Sequence, residues 1–258
     1  MRNGGFNGEG VAAIYRFEMA RALRTLWQSL VTPVITTALY FVVFGAAIGS
    51  RMQDMNGISF GAFIVPGLTL LSVFMQSIFN ASFGIYFPKF TGTIYELHSA
   101  PISSLEVVLA YVGAAVTKSL VLALVTLATA TLFVDIPIEH PLLMFLFLFL
   151  ICTAFCLLGF VIGIWAQNFE QLQIIPMLIV TPLTFLGGAF YSITALAEPW
   201  RTITLFNPIV YLVSGFRWTF FGLSDVPVWA SVAVMVGIIA GCLAGIVWIF
   251  RTGYRLKA

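Results

Sequence analysis

Residues Thr91 to Pro101 read TGTIYELHSAP and bring a phenol at Tyr95, a carboxylate at Glu96 and an imidazole at His98 close together between two long apolar runs. Elsewhere, chemistry-bearing residues are sparse. His98 and His140 are the two histidines, and the charge pattern below puts them on opposite faces of a membrane, so they cannot share a site. Cys152 and Cys156 stand four apart on one helix face. A metal pair is one reading, but small packing residues in an apolar run is the favoured one, and the three cysteines imply no disulfide framework. GAAVTKS, residues 113–119, approximates a phosphate-binding loop, but that motif needs glycine where Val112 and Thr117 stand. The sequence has no HExxH, no paired carboxylates and no nucleophile–base set. It predicts a non-enzyme with no metal and no cofactor of its own. If the protein moves anything against a gradient, the energy comes from another chain.

The elements that would carry these residues are membrane spans. The chain of 258 residues is 60% hydrophobic and only 9% charged, against about a quarter charged in a soluble domain. Its solvent must be largely lipid. The formal charge of +2 is too small to point to nucleic acid. A spanning helix needs about 20 mostly apolar residues, which predicts an all-α membrane protein of one domain with six spans, at 30–49, 60–83, 107–134, 142–165, 174–186 and 228–250. The N-terminus lacks the short apolar run and small-residue cleavage site of a signal peptide. Six spans put both termini on one side. Arg2, Arg16, Arg21, Arg24, Lys89, Arg251, Arg255 and Lys257, eight of the twelve basic residues, mark that side as cytoplasmic. Arg51, Arg201 and Arg217 fall opposite, and Lys118 falls inside the third span. If that span starts late, near Gly113, the lysine stem snorkels to the cytoplasmic surface; a part in the pathway or in a helix contact is the other reading. The confident spans hold no Asp or Glu, which counts against an ion- or proton-coupled transporter.

Ahead of the first span, Tyr15, Met19, Ala22, Leu23, Leu26 and Trp27 recur at helical spacing, with Glu18 and Arg21 on the other side. This predicts an amphipathic helix over 9–28 lying in the cytoplasmic interface, with Arg21, Arg24 and Trp27 at the membrane surface. Residues 187–222 are too polar for a span and too apolar for a solvated loop. Asn207-Pro208 is a helix start, and the run that follows is too short to cross, so this region is expected to form half-helices dipping in from the outer face. Gly45/Gly49, Gly159/Gly163 and Gly241/Gly245 each permit close helix contact.

The 91–101 stretch is punctuated. Thr93 and Glu96 fit a capping box, and so do Ser103 and Glu106. Pro101 disfavours helix at the residue before it. A short helix over 93–100 follows, bounded at both ends. Two readings fit the residues alone: an interfacial link between spans two and three, or a docking helix for a cytoplasmic protein.

The order of elements, together with Gly92-Thr93-Ile94-Tyr95-Glu96-Leu97-His98-Ser99-Ala100-Pro101, TPLTFLGGAFYSITAL (181–196) and LFNPIVYLVSGFRWTFFG (205–222), resembles the ABC-2 type permeases, and within them a YadH-like inner-membrane branch. The resemblance covers nearly the whole chain. It implies the membrane subunit of an ATP-driven exporter in the bacterial inner membrane: two permease copies with two copies of a separate cassette ATPase, which carries the ATP and magnesium. The 93–100 helix would then be the coupling helix, using Thr93, Ile94, Tyr95, Glu96, Leu97, His98 and Pro101. Tyr95 stands where many members carry Glu, and His98 where Leu is common, so docking by charge gives way to aromatic contact. The broken segment would form the external gate around Phe190, Tyr191, Trp200, Asn207 and Pro208; simple packing of the half-helices is the equal alternative. The many Phe and Met residues with few polar groups in the spans suggest a hydrophobic or amphipathic cargo, and the family also exports polysaccharides.

Overall fold

The computed structural model describes residues 6–48 and 57–253, and among these the regular secondary structure is all helical, with no strand. Helix α1 spans Gly8–Arg24, capped by the Asn7 side chain on the Gly10 amide. Helix α2, Leu26–Tyr40, continues as a π-helical segment over Phe41–Ile48. Helix α3 is Phe60–Thr91, α4 is Ile94–Ser99, α5 is Ser104–Ala130 and α6 is Pro141–Trp165. Helix α7 runs Phe169–Leu186, with a π-helical turn over Pro176–Val180. After a 3-10 turn at Ile193–Ala195 come α8, Trp200–Leu205, α9, Pro208–Phe221, and α10, Val228–Thr252.

Five helices, α3, α5, α6, α7 and α10, are long and apolar enough to cross a bilayer. The expected first span, 30–49, falls on α2 and its π-helical continuation, and Gly49 lies outside the described residues, as do Arg2, Arg51, Arg255 and Lys257. α2 is long and apolar enough to cross only together with α1, and the two are bent by 57° at their junction. The fifth helix begins at Phe169, not 174, because Asn168 caps it on the Gln171 amide. Its Pro176 has no amide hydrogen to continue the α-helical ladder, and the π turn opens there.

Helix α3 is the axis of the bundle. It is buried along nearly its whole length and packs on both α5 and α6. In lipid there is little hydrophobic drive between helices, so close backbone contact has to supply it. α6 meets α3 through two glycines. A Cβ on Gly159 would stand 2.4 Å from the Ile78 carbonyl oxygen, and one on Gly163 2.4 Å from that of Ser82. Phe74 and Phe155 stack beside this contact at 4.2 Å. Gly241 and Gly245 meet nothing nearby, so that pair does not serve packing within the chain. Lys89 lies in the last turn of α3, not in a loop, because the helix runs on past 83 to Thr91. Its ammonium donates to the Ile164 and Ala166 carbonyls at 2.9 and 3.1 Å and closes the free end of α6.

Gly159→Ala is expected to force α6 off α3 and to cost about 1–3 kcal/mol, read as a lowered midpoint of thermal unfolding in detergent. Gly241→Ala in the same assay should leave the midpoint unchanged.

Candidate functional site

The 91–101 region joins the ends of α3 and α5. α3 stops at Gly92, whose φ of 80° is a left-handed conformation that glycine adopts without strain. The Thr93 hydroxyl donates back to the Pro88 carbonyl and pairs with the Thr91 hydroxyl at 2.9 Å, so it serves the end of α3. Ile94 is buried at 3% exposure, while Tyr95 is 51% exposed on the outer side of the short helix. The side chains of Glu96, Leu97 and His98, and with them the Glu96 half of the expected first capping box, lie outside the described residues. Pro101 follows the end of α4, and its carbonyl accepts from the Asn7 side chain at 3.1 Å.

The second capping box is formed reciprocally: the Ser103 side chain accepts from the Glu106 amide, and the Glu106 carboxylate accepts from the Ser103 amide. Glu106 also accepts from the Asn7 backbone at 2.8 Å. One carboxylate therefore starts α5 and anchors the start of α1. Further along, the Tyr15 hydroxyl meets that of Thr117 at 3.0 Å. The contacts of α1 thus track along α5 from Glu106 to Thr117, a rise of about 16 Å. The polar side of α1 turns toward α3 and α5. Glu18 is buried, at 7% exposure, and pairs with Arg21, whose guanidinium lies over the Phe83 ring at 5.2 Å. Phe17, Leu23 and Trp27 face outward instead. Arg21 gives the buried Glu18 its partner, and lipid suits the apolar side. Of the expected surface residues, Arg24 and Trp27 are exposed and Arg21 is turned inward.

Glu18, Arg21 and Lys118 line one cavity of about 720 Å³ between α1, α2, α3, α5 and α7. α5 starts at Ser104, which puts Lys118 about 21 Å along it, far from the late start near Gly113 that snorkelling requires.

At the other end, the broken segment is held by a buried ion pair. Arg217, 3% exposed, meets the Asp225 carboxylate at 3.2 Å, donates to the Gly188 carbonyl at 2.6 Å and sits over the Phe63 ring of α3 at 4.0 Å. Asp225 also accepts from the Ser192 hydroxyl, and the Ser214 hydroxyl accepts from its amide at 2.8 Å. Gly67 of α3 lets the Ala189 carbonyl come within 2.0 Å of where a Cβ would be. α9 is a core element, with Val213, Phe216 and Phe220 fully buried. The Glu139 and His140 amides donate to the Phe220 and Thr219 carbonyls at its end, and the Trp218 ring lies 4.7 Å from that of His140.

Four of the expected gate residues gather at the end of α7. Phe190 stacks on Phe185 at 5.1 Å, and the Tyr191 hydroxyl donates to the Leu186 carbonyl. The Asn207 side chain caps α9 on the Ile209 amide and donates to the Leu183 carbonyl at 2.6 Å, with Pro208 in the first turn. Trp200 is not among them and stands exposed on α8. Sequence reasoning missed Arg217 and Asp225. The signal was there: a charge inside an apolar run, eight residues from an opposite one.

The sequence profile of the ABC-2 type transporter family matches residues 9–221. The chain belongs to this family of membrane transport permeases. It is 39% identical to the inner membrane transport permease YadH of Escherichia coli K12 over 224 residues, 87% of this chain and 88% of that one. More distant relatives are the nodulation protein J of Neorhizobium galegae, 23% identical over 80% of this chain and 79% of its own, and that of Rhizobium leguminosarum, 24% identical over 84% and 82%.

Removing Arg217 strands Asp225 and the Gly188 carbonyl. Arg217→Met should destabilise the protein by about 3–5 kcal/mol, and a cysteine at Tyr191 should become several times more reactive to a water-soluble maleimide.

Proposed function

We propose that this chain is the membrane subunit of an ATP-driven exporter in the bacterial inner membrane, working as two copies with two copies of a separate cassette ATPase. ATP and magnesium belong to that partner. Both termini and α4 face the cytoplasm, the side marked by the basic residues. α4 is the coupling helix: it receives force from the ATPase and passes it to the spans. The observation that carries this reading is the way α4 is strung between two long helices. Two residues separate it from α3 and four from α5, with Ile94 buried beneath it and Tyr95 presented outward. The Gly92 turn on one side and the Ser103/Glu106 box on the other leave little slack, so a push on Tyr95 is felt by α3 and α5 together. A flexible loop would absorb it. The segment 187–222 acts as the outer gate, with Phe190 and Tyr191 at its lip. The cargo is hydrophobic or amphipathic, in keeping with the apolar walls of α2 and α7.

The test is co-purification from membranes expressing the permease with its cassette ATPase. Tyr95→Ala combined with Glu96→Arg should lower the recovered ATPase about tenfold or more, the loss expected when an aromatic anchor and a charged contact leave a small interface. Deletion of 93–100 should abolish recovery. Unchanged recovery with the deletion would refute the coupling role. Transport by the chain in vesicles with no ATPase would favour an ATPase-independent transporter or channel.

A further inference from the structure

The cavity beside α1 has a wall and a charge that the export mechanism leaves unexplained. Its volume, about 720 Å³, is that of a site for one small molecule. On α3, Phe79, Phe83 and Phe87 stand four apart and stack at 5.8 and 5.5 Å, which makes an aromatic ladder about 12 Å long. Phe79, Phe87 and Met177 are partly exposed, so the cavity opens to the outside of the bundle on this side.

Three charges share this space. Arg21 and Glu18 neutralise each other. That leaves the Lys118 ammonium, which forms no ion pair among the described residues. The Glu18–Arg21 pair is itself incomplete: Glu18 Oε1 and Arg21 Nη1 are buried without hydrogen-bond partners. Gln76, Asn80 and Gln173 add carboxamides to the lining. Two cations against one carboxylate disfavour a cationic guest. An uncompensated ammonium and an unmet guanidinium donor call for an anionic oxygen, and a hydroxyl on the same head group would meet Glu18 Oε1.

We propose that this cavity binds an anionic amphiphile, its head group paired with Lys118 and Arg21 and its apolar chain laid along the Phe79–Phe83–Phe87 ladder. The shared chemistry is a carboxylate or phosphate on a hydrocarbon chain, supplied by a membrane phospholipid or by a single-chain amphiphile. The site belongs to this chain alone and does not depend on the ATPase.

The experiment is a fluorescence titration of the purified full chain in uncharged detergent with dansyl-undecanoic acid and with its methyl ester. The acid should bind about tenfold more tightly than the ester, the worth of one charge-assisted hydrogen bond. Lys118→Met should shrink that difference severalfold and leave the ester unchanged, and Lys118→Arg should restore it. Displacement of the acid by phosphatidylglycerol but not by phosphatidylcholine identifies a lipid head group as the occupant; resistance to both identifies a single-chain amphiphile, and either upholds the site. Equal binding of acid and ester by the unmodified chain overturns the proposal, and that comparison stands even where Lys118→Met does not fold. A correctly folded Lys118→Met that keeps the full preference for the acid also overturns it.

Discussion

The close approach of α6 to α3 at Gly159 and Gly163 is the contact on which the rest of the structure depends. Both positions hold backbone against the Ile78 and Ser82 carbonyls at distances that admit no side chain. In lipid, where apolar surface gains little by leaving the solvent, such contact is what binds one helix to another. The Phe74–Phe155 stack and the Lys89 ammonium at the end of α6 extend the same seam. With α6 fixed, α3 becomes a stiff member to which both ends of the molecule are tied.

Each tie is specific. At one end Gly67 accepts the Ala189 carbonyl and Phe63 carries Arg217 on its ring, so the broken segment rests on the first turns of α3. At the other end α3 runs without interruption to Thr91 and turns at Gly92 into α4. α5 begins on the far side of α4, and Glu106 binds the start of α1 to it. On the proposed reading, displacement of α4 reaches the outer segment through one helix of about 48 Å. The segment 187–222 is held there by the buried Arg217–Asp225 pair.

Much of this was legible in the sequence, for identifiable reasons. The Ser103/Glu106 box and the Asn207-Pro208 start are local chemistry, decided within four residues, and both form as their side chains dictate. The apolar runs set where the long helices lie. The inward turn of Glu18 and Arg21 is not legible locally, because the cavity they line is built from residues of α3, α5 and α7 remote in sequence. The snorkelling reading of Lys118 needs a late start for its helix, and the Ser103 cap fixes an early one. The extension of α3 to Thr91 is not set by the apolar run, which ends near residue 83; the helix continues through Pro88 to its stop at Gly92. The Arg217–Asp225 pair could have been suspected from its spacing, but its burial could not, since that needs α3, α7 and α9 in place together.

On the proposed reading α4 docks on an ATPase, and a photo-crosslinking amino acid placed at Tyr95 in the intact membrane tests this. One dominant adduct is expected whose second chain, identified by mass spectrometry, is a cassette ATPase, with no such adduct from the same group placed at Tyr191. Adducts at Tyr95 with lipid alone, or ATPase adducts at Tyr191, would contradict it.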